Sequence, residues 1–293
     1  MHQHTLRAPC HIYGKGIHTG EDTQIMLLPA PPDTGVIFRL IRNGRQVEFP
    51  AVTSNVTSTT LNTSLGREGL EVCTVEHLLS ALAGLEVDNV YIVTNGPEIP
   101  TMDGSSQPFV TRIMEVGRRL QPVPRRYLKI LEPVVIDEDG KSAGLYPSLI
   151  STFAFTIDFD NPAIRTQSLR LRMTPQTYVA QVARARTFGF LADLERLQKQ
   201  GLAKGAGLEN AVALDLDGRI LNAEGLRYAD EFVRHKLLDA IGDLSLAGYP
   251  IIGEYRGLKS GHLLNHKLVQ ALFAQPERWE IVSSGIETAA QAV

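Results

Sequence analysis

Cysteine is scarce in this sequence: Cys10 and Cys73 are the only two among 293 residues. Two thiols are too few for a disulfide framework or for a zinc site built from cysteines. Long apolar runs are also missing, since none approaches the ~20 residues of a membrane-spanning helix and the first residues contain no apolar signal-peptide segment. We therefore expect a cytoplasmic protein with reduced thiols and without stable membrane insertion.

Excess charge of either sign is absent as well. The formal net charge is -3 and the sequence pI is about 6.3. This charge balance gives no indication of nucleic acid as a partner. Hydrophobic residues make up 43% and charged residues 21% of the chain, a balance typical of globular rather than disordered proteins. The length is sufficient for one large domain or for two of ordinary size.

The order of predicted elements repeats along the chain. Residues 121–126, polar and interrupted by two prolines, predict a linker between domains at 1–121 and 127–293. In each half, strand patterns lead to a helix, a further strand, a glycine loop and another helix. The first helix is predicted over 75–83, with Thr74 as its N-cap and Gly84 at its end, and the next over 108–120.

The two halves also share a few residues at equivalent positions. Three identities share one constant offset: His77 with His235, Leu79 with Leu237, and Gly84 with Gly242. Three identities alone prove nothing, and the agreement in element order is the stronger argument. We predict the α+β class, with two domains of similar topology whose helices pack against β-sheet. If the domains pack about a pseudo-twofold axis, His77 and His235 meet in the cleft between them.

Residues 231–244 combine a helical apolar stripe with regularly spaced polar residues. The apolar stripe consists of Leu237, Leu238, Ile241 and Leu244. His235, Asp239 and Asp243 recur every four residues and therefore line the opposite side of the helix. A histidine and a carboxylate one turn apart can ligate one metal ion, and the second aspartate can orient a group beside it. The alternative is a solvated polar face carrying one His–Asp pair.

These polar residues are compatible with a hydrolytic zinc site. Such a site needs three protein ligands, an open position for water, and a base near that water. Two histidines and one carboxylate are a known ligand set, and Glu76 beside His77 could serve as the base. Spacing leaves the set open, because His262 could equally be a ligand. Each residue alone also has an ordinary explanation: the helix dipole favours Glu76, and His262 caps its helix.

Five segments, taken together, resemble the UDP-3-O-acyl-N-acetylglucosamine deacetylases, the zinc amidases of the committed step of lipid A synthesis. They are Thr-Val-Glu-His-Leu at 74–78, Pro-Glu-Ile-Pro with Met-Asp-Gly-Ser at 97–105, Arg-Ala-Arg-Thr-Phe-Gly-Phe at 184–190, His-Lys-Leu-Leu-Asp-Ala-Ile-Gly-Asp-Leu at 235–244, and Lys-Ser-Gly-His at 259–262. The resemblance extends from about residue 5 to residue 280 without a departure in any motif. It implies hydrolysis of the N-acetyl group, which releases acetate and UDP-3-O-acyl-glucosamine.

The resemblance also implies roles for individual residues. It makes His77, His235 and Asp239 the ligands of Zn²⁺. It makes Glu76 the general base and His262 the general acid, which Asp243 orients. Thr187 would support the oxyanion, and Lys236 would contact the head of the substrate. The implied fold has two α+β domains with the site between them.

An inserted unit near 188–214 is expected to contact the substrate. Leu191, Leu194, Leu197 and Leu202 form an apolar edge, followed by a strand at 211–214. From the residues alone this is an ordinary core-packing helix, whereas the family uses the insertion as a passage for the acyl chain, lined here by Leu191, Leu194 and Leu202. Phe159 is expected to stack on the nucleotide, and Phe188 and Lys259 to contact the substrate.

The expected partner is therefore a small molecule, an acylated UDP-sugar, and we expect a monomer. Two alternatives remain at this point. A zinc hydrolase for another N-acyl sugar would still act after removal of the ester-linked acyl chain. A non-enzymatic binding protein would have affinity for the sugar nucleotide without forming a metal-dependent product.

Overall fold

A computed structural model describes residues 1–283 as two halves, each built around a five-stranded sheet. The elements of the first half are β1 (His2–Leu6), β2 (Cys10–Lys15), β3 (Asp22–Pro29), β4 (Val36–Arg42), β5 (Arg45–Pro50), β6 (Val56–Ser58), β7 (Ser64–Arg67), β8 (Leu70–Val72), α1 (Glu76–Gly84), β9 (Val90–Thr94), α2 (Gln107–Val116) and β10 (Arg118–Pro124).

The elements of the second half follow after a single residue. They are β11 (Arg126–Ile130), β12 (Val134–Glu138), β13 (Lys141–Tyr146), β14 (Thr152–Phe159), β15 (Arg165–Arg172), α3 (Pro175–Gln181), β16 (Phe188–Phe190), α4 (Leu191–Lys199), β17 (Val212–Leu214), α5 (Glu231–Leu244), β18 (Ile251–Ile252), β19 (Glu254–Leu258), α6 (His262–Phe273) and β20 (Trp279–Ser283).

The two five-stranded sheets have the same topology. Their strand orders are β2-β3-β9-β4-β5 and β12-β13-β19-β14-β15. In each sheet the central strand is the last one in the sequence. β9 pairs parallel with β4 and antiparallel with β3, and β19 pairs in the same way with β14 and β13. The predicted α+β fold with a repeated topology is confirmed. Smaller sheets join β1 to β10, β6 to β8 through β7, β18 to β20 through β11, and β16 to β17.

The strands bury one face, as their alternating sequences predict. In β14, Phe153, Phe155 and Ile157 are buried, and the residues after each are partly or fully exposed. Successive side chains of a strand point to opposite faces, so the buried set faces the helices. Each fully buried large apolar side chain stabilises the fold by roughly 1.5–3 kcal/mol.

The helices of the two halves meet along α1 and α5. α5 also packs on β14 and β15, and α6 packs on β12 and β13. At the crossing, a Cβ atom on Gly242 would lie 2.1 Å from the backbone oxygen of Glu76. The two helices are therefore in backbone contact at this point, and Leu78 and Leu237 are completely buried beside it.

The predicted linker at 121–126 is wrong. Gln121–Pro124 belongs to β10, which pairs antiparallel with β1. The Gln121 side chain is buried and accepts a hydrogen bond from Asn89 Nδ2 at 2.8 Å. Prolines are tolerated here because β10 belongs to a two-stranded sheet and so has an unpaired edge. The division into domains at 1–121 and 127–293 stays a prediction, and residues 284–293 lie outside the described part.

Two helix boundaries also differ from prediction. α2 ends at Val116 because Gly117, at φ 76°, adopts a positive φ that terminates the helix. Thr74 does not cap α1, whose N-cap is Val75. Thr74 instead has φ 60°, and its hydroxyl donates a hydrogen bond to Glu98 Oε1 at 2.9 Å.

The inserted segment (188–214) contains the predicted helix and strand as α4 and β17, and β17 pairs parallel with β16. α4 has no buried residue, and Leu191 is 50% exposed. The interpretation of this helix as an ordinary core-packing helix is therefore wrong. Within residues 1–283, no helix has the length and apolar character needed to cross a membrane.

Candidate active site

Three side chains able to ligate a metal come together where α1 meets α5. His77 lies in the first turn of α1, and His235 and Asp239 lie one turn apart on α5. The ring centroids of the histidines are 5.0 Å apart. Asp239 Oδ1 lies 3.5 Å from His77 Nε2 and 3.2 Å from His235 Nε2. His77 and His235, at corresponding places in the two halves, do meet in the cleft.

The polar side of α5 is buried against the other half. His235 is 2% exposed, Asp239 4% and Asp243 2%. The alternative of a solvated polar face is therefore wrong, because α1 packs along this helix and excludes water from it. Burying three ionisable groups on one helix is costly unless each is paired or bound, so their partners indicate what the site does.

The unpaired atoms of this cluster fit a divalent cation. Asp239 Oδ2 accepts a hydrogen bond from Lys236 Nζ at 2.9 Å, but the buried Oδ1 has no hydrogen-bond partner among the described residues. His235 Nδ1 donates to the Ala185 carbonyl oxygen at 3.1 Å, since that oxygen can only accept, and Nε2 therefore keeps its lone pair. Burial lowers the pKa of His235 to about 3, so the ring is a neutral ligand at neutral pH. One ligand atom from each of the three residues lies within 4.8 Å of the others.

Glu76 stands beside this cluster as a buried carboxylate. It directly precedes His77 and is 3% exposed. Its Oε2 accepts a hydrogen bond from the Thr63 backbone N–H at 3.0 Å. Burial raises the pKa of Glu76 above the ordinary carboxyl value. A carboxylate with a raised pKa is a stronger base, which suits proton transfer from water near neutral pH.

His262 and Asp243 form a hydrogen-bonded pair that could donate a proton, as Glu76 could accept one. His262 Nδ1 lies 2.9 Å from Asp243 Oδ2. Burial alone would lower the pKa of His262, but the Asp243 carboxylate outweighs burial and raises this pKa to about 9. The imidazole is therefore protonated at neutral pH. This pairing favours an acid over a third metal ligand, the other role that spacing had left open.

Sequence reasoning missed two side chains that hold this pair. Thr63 Oγ1 donates to Asp243 Oδ1 at 2.6 Å, and Asn265 Nδ2 donates to Asp243 Oδ2 at 2.8 Å. Thr63 lies in a Ser/Thr-rich stretch without periodicity, 180 residues from Asp243, so no sequence signal indicated it. Asn265 follows His262 by three residues on α6, and that helical spacing was an available signal.

The loop between β2 and β3, which contains His18, also borders the site. Burial lowers the pKa of His18 in this loop, and charge on the neighbouring His77 contributes in the same direction. The buried Glu98 accepts a hydrogen bond from the His18 N–H at 3.0 Å. The His18 carbonyl oxygen accepts one from the Lys204 N–H at 3.1 Å. The loop therefore connects the inserted segment to the edge of the site.

Phe188 links several residues that the resemblance assigns to substrate. Its ring centroid lies 5.7 Å from that of Phe159 and 6.3 Å from that of His235. Lys236 Nζ lies 5.8 Å from the Phe188 centroid. Thr187, the preceding residue, donates its N–H to the Gly104 carbonyl oxygen at 2.8 Å. These residues therefore form a continuous wall that reaches the metal-ligating cluster.

The other predicted substrate contacts are exposed or partly exposed. Lys259 Nζ forms an ion pair with Asp158 Oδ2 at 2.6 Å, next to Phe159. Leu191 is half exposed, and Leu194 and Leu202 are partly exposed in the inserted segment. Apolar side chains left open in this way are available to an apolar ligand.

Comparison with known proteins identifies the family. The family model for LpxC, UDP-3-O-acyl N-acetylglycosamine deacetylase, matches residues 3–274. The UDP-3-O-acyl-N-acetylglucosamine deacetylase of Chromohalobacter salexigens is 47% identical over 285 residues, which cover 97% of this chain and 94% of that protein. The enzymes of the same name from Syntrophotalea carbinolica and Nitrosococcus oceani are 42% and 47% identical, over 97% and 96% of this chain and 92% and 93% of their own lengths. The chain therefore belongs to the UDP-3-O-acyl N-acetylglycosamine deacetylase family and is an amide-hydrolysing enzyme.

Proposed function

We propose that this protein removes the N-acetyl group of UDP-3-O-acyl-N-acetylglucosamine, releasing acetate and UDP-3-O-acyl-glucosamine, at the committed step of lipid A biosynthesis. The observation that carries the proposal is the buried cluster of His77, His235 and Asp239, flanked by a basic carboxylate and a cationic histidine. We further propose that the enzyme acts as a monomer in the cytoplasm, which agrees with its two free cysteines.

We propose zinc as the metal, held by His77, His235 and Asp239. Two imidazoles and one carboxylate are a ligand set of catalytic zinc sites that leaves a position open. When bound, zinc polarises the amide carbonyl and lowers the pKa of water toward ~7. The hydrogen bonds from Lys236 to Asp239 and from His235 to Ala185 hold two of the ligands in orientation.

Glu76 is the proposed general base. Hydrolysis forms the C–O bond of acetate and breaks the C–N bond of the amide, so water must lose a proton as it attacks. The Thr63 N–H orients the Glu76 carboxylate, and burial raises the pKa of Glu76 above the ordinary carboxyl value. Acid–base groups of this kind contribute typically 10²–10⁴-fold to the rate, on the order seen across enzymes.

His262 is the proposed general acid. The departing amine cannot leave as an anion, so it needs a proton as the C–N bond breaks. A histidine with a pKa of about 9 carries that proton at neutral pH, and Asp243 orients the ring. Thr187 would support the oxyanion, and Lys236 would contact the head of the substrate.

The substrate is proposed to extend away from the cluster in two directions. Its nucleotide would lie near Phe159, Phe188 and Lys259, where aromatic rings and a cationic side chain favour bases and phosphates. Its acyl chain would lie along Leu191, Leu194 and Leu202, because α4 has no buried residue and leaves its apolar side chains open.

Acetate release from the acylated UDP-sugar tests the proposal. We expect turnover that is lost in Glu76→Gln, while metal content measured by elemental analysis stays at the wild-type level. The matched control is Gln107→Glu, the opposite exchange at the first residue of α2, which should retain activity. Equal turnover of a substrate without the 3-O-acyl chain would indicate another N-acyl sugar, and affinity without acetate would indicate a binding protein.

A further inference from the structure

A second cavity lies between the two halves, apart from the active site. Its volume is about 480 Å³, which is within the roughly 300–1,000 Å³ typical of small-molecule sites. Neither the three metal-ligating residues nor Glu76, Asp243 or His262 lines it. The established reaction therefore leaves this cavity without a role.

The floor of the cavity is apolar and is shared by the two central helices. Leu79 and Leu82 line it from α1, and Ile241 and Leu244 line it from α5. Within each pair the residues are three apart, so they lie on one helix face. All four are less than 5% exposed, and Phe153 closes the floor from β14. An occupant would therefore contact apolar side chains of both halves at once.

The rim of the cavity carries three arginines, of which two are already paired. The guanidinium of Arg125 lies 2.6 Å from Asp88 Oδ1 and 3.0 Å from Glu86 Oε1. Arg126 Nη2 lies 2.8 Å from Asp33 Oδ1. These two arginines are paired with three carboxylates of the same rim, so neither has an unpaired positive charge.

Arg172 differs from the other two arginines. It lines the cavity at the end of β15 and is exposed, and no residue within 1–283 forms a hydrogen bond or ion pair with its guanidinium. Ile150 lies on the same rim at 42% exposure, and its neighbour Leu149 is 87% exposed. The entrance therefore combines the unpaired guanidinium of Arg172 with exposed apolar side chains.

We propose that this cavity binds a long-chain fatty acid, with its chain against the apolar floor that α1 and α5 form together and its carboxylate on Arg172. A single-chain amphiphile matches the apolar floor, and one negative charge matches the one unpaired guanidinium. A carboxylate is the anion that a guanidinium pairs with bidentately. A neutral apolar molecule would leave Arg172 without a role.

Fluorescence titration of the holoenzyme with cis-parinaric acid, an 18-carbon carboxylate probe, tests the proposal. Arg172→Glu should weaken binding at least tenfold, and Arg172→Lys should largely restore it. The methyl ester of the probe should bind wild type and Arg172→Glu alike. Arg172 is exposed, so these variants do not depend on tolerance of the core.

Two further variants separate this cavity from the proposed acyl passage in the inserted segment. Leu82→Trp should fill the floor and remove one binding site per chain, whereas Leu191→Trp should leave that site intact. Circular dichroism should show that Leu82→Trp keeps the wild-type fold. The proposal is overturned if Arg172→Glu binds the carboxylate as tightly as wild type. It is equally overturned if Leu191→Trp alone removes all binding.

Discussion

The pairing of His262 with Asp243 makes a quantitative prediction for the variant Asp243→Asn. The substitution keeps the size of the side chain but removes the negative charge 2.9 Å from His262 Nδ1. Burial continues to lower the pKa of His262, while the main influence that raises it is gone. We therefore expect this pKa to fall from about 9 to the ordinary 6.5 of histidine or below.

The magnitude follows from that difference. A fall from about 9 to 6.5 corresponds to a free energy on the order of 3 kcal/mol. At about pH 8 the protonated fraction of His262 would decrease from roughly 0.9 to roughly 0.03. Since only the protonated ring can act as the acid, kcat at this pH should fall about 30-fold or more. At about pH 6 the loss from protonation alone should be less than twofold.

The assay is kcat as a function of pH, from about pH 6 to about pH 10, for acetate release by wild type and Asp243→Asn. The alkaline limb should move to lower pH in the variant. Asp230→Asn is a matched control: it makes the same exchange at the N-cap of the same helix, where the carboxylate pairs with Arg234, and it should leave the limb unchanged. Metal content should be equal in all three proteins.

An unchanged alkaline limb in Asp243→Asn would refute this reasoning. It would mean that the limb reports another group, for which Lys236 is the next candidate because it is cationic and bonded to Asp239. A uniform decrease of kcat at every pH would also contradict the prediction, since it would assign Asp243 a role in positioning without an effect on the His262 proton.

Three further predictions concern the ligands, the passage and a missed residue. Asp239→Ala should lose most of its zinc by elemental analysis, because it removes the buried Oδ1 beside both histidines; full zinc occupancy would exclude this ligand set. Leu191→Trp should raise KM for a long-chain substrate much more than for a short-chain analogue, since each buried CH₂ contributes ~0.8 kcal/mol; equal effects would exclude a passage. Thr63→Val should lower kcat about tenfold and move the alkaline limb, because it removes the hydroxyl that donates to Asp243 Oδ1; an unchanged pH profile would make Thr63 merely structural.

The parts of the fold that the sequence predicts are those with strong local periodicity. The bounds of α5 agree with the predicted residues 231–244, because the apolar stripe and the polar residues share one helical period. The repeated order of elements predicted two sheets of like topology, and these exist. From this order it followed that His77 and His235 meet, which their ring distance confirms.

The parts that sequence could not predict depend on contacts between distant segments. Thr63 reaches Asp243 across 180 residues from a stretch without periodicity. The two prolines of β10 led to the prediction of a linker. The pairing of this strand with β1 cannot be recognised from local composition. Thr74 has the residue type of an N-cap, yet its positive φ and its bond to the buried Glu98 are imposed by tertiary structure.

The backbone contact between Gly242 and Glu76 has a consequence for how the enzyme acquires its metal. The spacing of the two halves is set there by van der Waals contact of main chains and does not depend on a shared ion. The binding site is thus preorganised by folding, unlike that of a zinc finger, in which the metal drives folding. The apoprotein should therefore unfold cooperatively by itself, and metal uptake should need no movement of one half toward the other.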